Sequence, residues 1–92
     1  RDPENAIPEI QQIRQLMNDK GYADKNLLLG EWGYSTARGE IGETTQAAFA
    51  ARHYLVGAFC QNPINIWYDW KDDGHQPAEK EDHFGLVYPN LK

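Results

Sequence analysis

Residues 27–36, Leu27-Leu28-Leu29-Gly30-Glu31-Trp32-Gly33-Tyr34-Ser35-Thr36 (LLLGEWGYST), decide the fold. The first four positions are apolar or glycine at consecutive places, not alternating ones. A strand with one wet face alternates, whereas a strand apolar at every position is covered on both faces, as in parallel α/β sheets. Residues 26–31 are therefore expected to form a buried parallel strand. The run stops at a carboxylate, Glu31, with Trp32 and Tyr34 close behind. Parallel α/β folds carry their functional residues at the C-terminal ends of strands and on the loops that follow, which is where Glu31 falls.

Upstream, PEIQQIRQLMNDKG reads as a helix over about residues 8–20. Pro8 suits the first turn. Ile10, Ile13, Leu16 and Met17 form one stripe at helical spacing, expected to be buried. Gly21 falls where a C-terminal cap glycine belongs, with Lys20 at the negative end of the dipole. Downstream, residues 33–43 (GYSTARGEIGE) read as a long loop. A second helix is expected over about residues 44–61, capped by Thr44 or Thr45, with Glu43 at its positive end. Its expected core stripe is Ala48, Ala51, Leu55 and Phe59, with Phe49 and Val56 beside it. Asn62-Pro63 stops it, and residues 64–68 (INIWY) read as a second strand. An acidic loop (69–83) and an extended stretch (84–89, a hairpin arm or the lead into a final helix) close the chain.

The order helix, strand, helix, strand contains one βαβ unit with a right-handed crossover. Two strands covered on both faces need sheet neighbours that these 92 residues do not contain. The chain is thus expected to be part of a larger α/β domain.

Composition narrows the function. A net charge of −5 argues against nucleic acid and against an anionic membrane surface, and is compatible with a neutral substrate. A lone cysteine, Cys60, forbids an intrachain disulfide and reads as a small apolar side chain on a helix. The chain opens on Arg1, carries no signal-like stretch and no apolar run of bilayer length, and is expected to be a processed or excised product. GxGxxG, GxxxxGK[ST] and GxSxG are absent, which leaves nucleotide binding and serine hydrolysis unsupported. The loop DDGHQPAEKEDH holds Asp72, Asp73, Glu79, Glu81, Asp82, His75 and His83, but at no spacing of a known metal loop. It reads as a solvated rim, and no metal or cofactor is expected.

Trp67 and Tyr68 close the second strand as Glu31 closes the first. Adjacent parallel strands bring such ends to about 5 Å apart in the sheet. A carboxylate beside aromatic faces suits a sugar: the ring's apolar face stacks on an indole while the carboxylate meets the positive charge that develops at the anomeric carbon. Bland readings stand beside this. Glu31 as a lysine-paired strand-end residue, Trp67 as packing and Trp70 as packing all fit the residue types, and for Trp67 the two readings are even. Asp69, Lys71 and Asp72 are further polar candidates; Arg38 and Glu40 lie on the loop after the first strand, where distal subsites are shaped. His53, in mid-helix, reads as packing or as solvent-exposed.

The segment LLLGEWGYST resembles the seventh-strand segment of clan A glycoside hydrolases, the (β/α)8 TIM barrels that include families 5 and 39. INIWYDWKDDG followed by EDHFGLVYPNLK resembles their eighth-strand segment, and the distance between the two also matches. The resemblance covers almost the whole chain but only the last quarter to third of such a barrel. It implies that Glu31 is the nucleophile of a retaining glycosidase acting on an oligo- or polysaccharide. It implies that Trp67 is the shelf under the sugar, commonly followed by a non-proline cis peptide. Trp32 would stand beside the nucleophile and Tyr34 in the loop behind it, with Tyr68, Asp69 and Lys71 also reaching substrate. It further implies a secreted or periplasmic protein, and a second carboxyl group, the acid/base, at the end of strand four after an asparagine. Nothing in this chain matches that acid/base: Glu4-Asn5 is reversed and lies in the polar lead-in. The remaining barrel is therefore the expected partner. The alternative is a non-catalytic carbohydrate-binding or structural piece.

Overall fold

Gly21 shows how the first helix is ended. It adopts φ +85°, and the N–H of Tyr22 reaches back to the carbonyl of Met17 (2.7 Å) while its own N–H reaches Asn18 (3.2 Å). That pair of bonds satisfies two orphan carbonyls of the helix end. The computed structural model describes residues 1–92 and gives this helix, α1, as Ala6–Asp19, after a 3-10 turn at Pro3–Asn5. It starts two residues before the expected position. Pro8 is then the third helical residue, where the missing N–H would have had no intrahelical partner in any case.

Two strands follow, β1 (Leu29–Trp32) and β2 (Asn65–Trp67), joined through α2 (Glu43–Phe59). They lie side by side and parallel, with Leu29 opposite Asn65 and Trp32 opposite Trp67. The Leu29 N–H bonds the Ile64 carbonyl (3.0 Å) and the Tyr68 N–H bonds the Trp32 carbonyl (2.7 Å), so the pairing runs slightly past both ends of β2. The expected βαβ unit is present.

α2 differs from its sequence reading in two ways. Its N-cap is Gly42, in extended geometry with its carbonyl accepting from Gln46 N–H at 2.9 Å; neither Thr44 nor Thr45 caps it. The helix therefore begins at Glu43, and both threonines lie inside its first turn. Its buried stripe is Gln46, Phe49, His53, Val56 and Gly57, while Ala48, Ala51, Leu55 and Phe59 are exposed. The sequence offers two apolar stripes on this helix. The one with His53 won because the strands present Trp32 and Trp67, whose rings pack on that imidazole.

The expected burial of α1 and β1 is also only partly met. On α1, Ile10 is buried but Ile13 and Leu16 are open, and Leu28 before β1 is half exposed. The sheet has two strands only, so much of the apolar surface of α1 and of the approach to β1 has nothing to pack on. The chain is accordingly extended. Its radius of gyration is 15.2 Å, where a closed domain of this length would show about 12 Å. Its accessible surface is 6219 Å², against roughly 5,400 Å² for a folded monomer of this mass.

The last stretch is extended as expected, but it forms no hairpin arm. Residues 84–88 run parallel to 69–72: Leu86 N–H bonds the Trp70 carbonyl (3.0 Å), Asp72 N–H bonds the Val87 carbonyl (3.0 Å), and Lys71 pairs with Val87. No helix of the chain is long and apolar enough to cross a membrane.

Candidate active site

β1 is irregular where it matters. Between the pairs Leu29–Asn65 and Trp32–Trp67, two residues of β1, Gly30 and Glu31, face one residue of β2, Ile66. One extra residue of this kind is a bulge, which re-aims the side chains beside it. Leu29 and Trp32 are partly buried, whereas Gly30 and Glu31 are exposed. Trp32 turns to α2, its ring 4.7 Å from that of His53. The bulge therefore sends Glu31 to the other face of the sheet, away from α2. An isolated glycine inside a strand pattern is the sequence signal for such a bulge, and Gly30 carried it.

β2 divides its residues in the same way. The Asn65 side chain lies against Gly57 of α2. Trp67 is 8 % exposed, with its ring 5.9 Å from His53 and 6.2 Å from Tyr34. The Trp67 indole is thus packed beneath α2 and not on the face of Glu31. Tyr68, the next residue, turns the opposite way and is partly exposed, its ring 5.5 Å from Phe84. Partial burial, followed by the carboxylates of Asp73, Asp69, Glu81 and Glu31, holds the Tyr68 phenol above its ordinary range. The non-proline cis peptide joins Tyr68 to Asp69, one residue later than the resemblance placed it.

The other expected site residues are placed as follows. Tyr34 packs edge-on to Phe49 at 4.8 Å, on the α2 side with Trp32 and Trp67. Asp69 stands at the mouth of β2, next to Tyr68. Burial first, then Asp73 and Asp72, push its carboxyl above the usual range, and its Oδ1 has no partner within the chain. Lys71 and Trp70 are exposed. Asp72 is buried, its Oδ1 accepting from Gly85 N–H at 2.8 Å and its Oδ2 3.6 Å from His83 Nδ1, so it organises the loop. Glu40 lies 3.6 Å from Lys80. No three His, Cys, Asp or Glu side chains converge as a metal site. Glu31 lines none of the three main surface depressions, of about 260, 340 and 580 Å³. Glu31 is exposed, and its charge reaches the partly exposed Tyr68 phenol.

Three supports escaped the sequence reading. Gly33 follows β1 at a point where a methyl group would lie 1.8 Å from the Tyr68 carbonyl oxygen, so the two strand ends touch backbone to backbone. Gln46, buried on α2, donates to the Tyr34 carbonyl at 2.8 Å and so fixes the loop after β1. That loop is also stitched to the loop after β2: Ser35 Oγ donates to the Lys80 carbonyl (2.8 Å), Thr36 N–H to His83 (2.9 Å) and Arg38 N–H to Pro77 (2.7 Å). These contacts join residues more than 35 positions apart, which local patterning does not encode.

His53, fully buried, meets three aromatic rings and no hydrogen-bond partner. Burial lowers its proton affinity below the ordinary imidazole value of 6.5. An unfolded chain takes up this proton before the folded one does as pH falls. Stability is then full above 6.5 and declines as pH drops from there toward the folded value. The urea midpoint of the complete polypeptide should fall on moving from about pH 7.5 to about pH 5.5, and His53→Phe should reduce that fall.

No protein-family model and no curated protein sequence matches the chain. Among solved structures it is similar to a family 39 glycoside hydrolase from the gut symbiont Bacteroides cellulosilyticus WH2, with a TM-score of 0.81 and 26% sequence identity. The match covers 94% of this chain and 18% of that one. The resemblance to clan A, seen in the two strand segments, is thus met by a clan A structure. The α/β unit with its parallel strand pair matches part of a glycoside hydrolase barrel.

Proposed function

We propose that this chain forms the C-terminal part, strands seven and eight, of the catalytic barrel of a retaining glycoside hydrolase, and that Glu31 is its nucleophile. The observation that carries the reading is the bulge at Gly30–Glu31, which delivers a carboxylate to the C-terminal end of a parallel strand, on the same open face as Tyr68. The likeness to a family 39 glycoside hydrolase supports it. Exposed Leu28, Ile66, Leu55 and Phe59 lie where neighbouring strands and helices of a barrel would cover them; the rest of the barrel is the partner that fits.

The chemistry follows from the positions. A Glu31 carboxylate oxygen attacks the anomeric carbon as the glycosidic C–O bond breaks. The departing oxygen takes a proton from a carboxylic acid contributed by another strand, about 5 to 5.5 Å from Glu31. Water then attacks the same carbon, loses its proton to that second carboxylate and frees Glu31 as an anion. Tyr68, not Trp67, is the shelf in this reading, because its ring shares the face of Glu31. Trp67 holds the shelf from behind. Asp69, with its unpartnered Oδ1, and Lys71 follow that shelf closely in the sequence and contact sugar hydroxyls in this reading.

Treating the complete polypeptide with a fluorinated, activated glycoside tests the assignment. Peptide mass analysis should find the sugar on Glu31; label on any other residue overturns it. The shelf is tested separately. Tyr68→Ala should raise KM and lower kcat with little change in melting temperature. Trp67→Ala should cost about 3 to 5 kcal/mol of stability, as expected of a buried indole, measured by urea unfolding.

A further inference from the structure

The residues on either side of the proposed site share one keystone. Trp32 is bonded to Glu31, Trp67 is bonded to Tyr68, and both indoles rest on the ring of His53, at 4.7 and 5.9 Å. His53 is 0 % exposed within this chain alone. Its surroundings are therefore complete here, and further parts of a barrel cannot reach it. Neither ring nitrogen has a hydrogen-bond partner. No acceptor within hydrogen-bond reach is available to an imidazolium, whose charge would meet ring faces alone. β1 and β2 turn the two indoles toward it and bring no charged side chain to that stripe of α2, where the uncharged Asn65 lies against Gly57. Glu31 points to the opposite face. From α2 itself come the Tyr54 ring at 4.9 Å and the neighbouring Arg52. The carboxylates of the N-terminal 3-10 segment, Asp2 and Glu4, are engaged by the Arg52 guanidinium, with Glu4 at 2.6 Å from its Nε. A charge on His53 would sit unpaired among aromatic faces, a costly arrangement that is relieved by moving the ring out.

We infer that His53 is a positioning residue: its uncharged ring wedges beneath Trp32 and Trp67 and keeps the two strand ends, and with them Glu31 and Tyr68, in mutual register, so that protonating it releases both. The inference rests on the function proposed above for its effect on turnover, but not for its structural half. It gives the protein an acid limit set behind the site, separate from protonation of the carboxyl groups that do the chemistry.

The experiment follows kcat against pH in the complete polypeptide, wild type and His53→Phe, alongside the indole N–H resonances of Trp32 and Trp67 in 15N-labelled protein. The phenylalanine ring fills the same space and cannot titrate. At about pH 5 the variant should keep a several-fold larger fraction of its own neutral-pH kcat than wild type does, with KM little altered. In wild type, both indole signals should shift reversibly with a midpoint below 6.5 that coincides with the acid limb of kcat. Superimposable pH profiles of the two proteins overturn the inference. Should His53→Phe fail to fold, the wild-type resonances decide: indole signals that stay fixed through the acid limb also overturn it. If the protein hydrolyses no glycoside, the assignment of Glu31 falls by itself, and the indole titration still tests the keystone.

Discussion

Glu31→Gln in the complete polypeptide should lower kcat by roughly 10⁴-fold or more and leave sugar affinity within a few fold. The size follows from what the carboxylate does in the proposed reaction. An amide of the same shape cannot form the glycosyl ester, so the two-step route closes, and what remains is catalysis by the acid group and by binding. Folding should be untouched. The side chain is exposed, belongs to none of the chain's ion pairs and is presented by backbone geometry at the bulge, which glutamine adopts equally well. Equilibrium binding of an oligosaccharide beside steady-state rates separates the two readings of this residue. If Glu31 only hydrogen-bonds hydroxyls, the substitution changes affinity modestly, and neither form turns substrate over.

The main elements were legible because their signals are local. Pro8, the Ile10 stripe and Gly21 bracket α1 within two residues, and Gly21 takes the positive φ that its position demands. The unbroken apolar run before Glu31 gave a parallel strand, and β1 pairs with β2 in that sense. Burial was less legible. Leu28, Leu55 and Phe59 carry the residue types of a core yet are open in this chain. Composition tells whether a side chain prefers burial and does not tell which element will cover it. The choice between the two stripes of α2 was settled by aromatic rings from strands far along the sequence, Trp32 and Trp67.

The site was legible as a place and not as a set of orientations. Position 31 at a strand end was readable; that Glu31 faces away from α2 depends on one extra residue in the β1–β2 pairing. Regular alternation through residues 29–32 would put Leu29 and Glu31 on one face. Instead Leu29 and Trp32 are the partly buried pair, Trp32 against His53 of α2, and Glu31 is left exposed. The same issue decided Trp67 against Tyr68. Adjacent residues of a strand point to opposite faces, so Trp67 and Tyr68 serve different surfaces, and residue type alone does not tell which ring is the open one. The buried Trp67 and the partly exposed Tyr68 show which of the two is available to a ligand.

Gly33→Ala is the substitution expected to damage the protein most without touching a reacting group. The methyl carbon would fall 1.8 Å from the Tyr68 carbonyl oxygen, 3.0 Å from its carbonyl carbon and 3.1 Å from the Phe84 ring. An overlap with a flexible side chain is relieved by a rotamer change; this one is with backbone. The Tyr68 carbonyl cannot retreat freely, because the Tyr68 N–H is bonded to Trp32 at 2.7 Å and the Asp69 N–H to Phe84 at 3.2 Å. Relief therefore requires β1 and β2 to part at their C-terminal ends, at a cost of about 3 kcal/mol or more. Activity should fail further than stability does, since parting those ends moves Glu31 relative to Tyr68, and a displacement of about 1 Å at a reacting centre can cost roughly 100-fold in rate. Gly42→Ala provides the contrast. Its added methyl meets nothing within 4 Å, and loss of a good N-cap costs about 1 kcal/mol or less. Urea unfolding of both variants, with kcat measured under conditions where each stays folded, gives the comparison. Equal, mild losses for the two would mean that the ends of β1 and β2 are not in the backbone contact described, and that Gly33 does not set the distance between Glu31 and Tyr68.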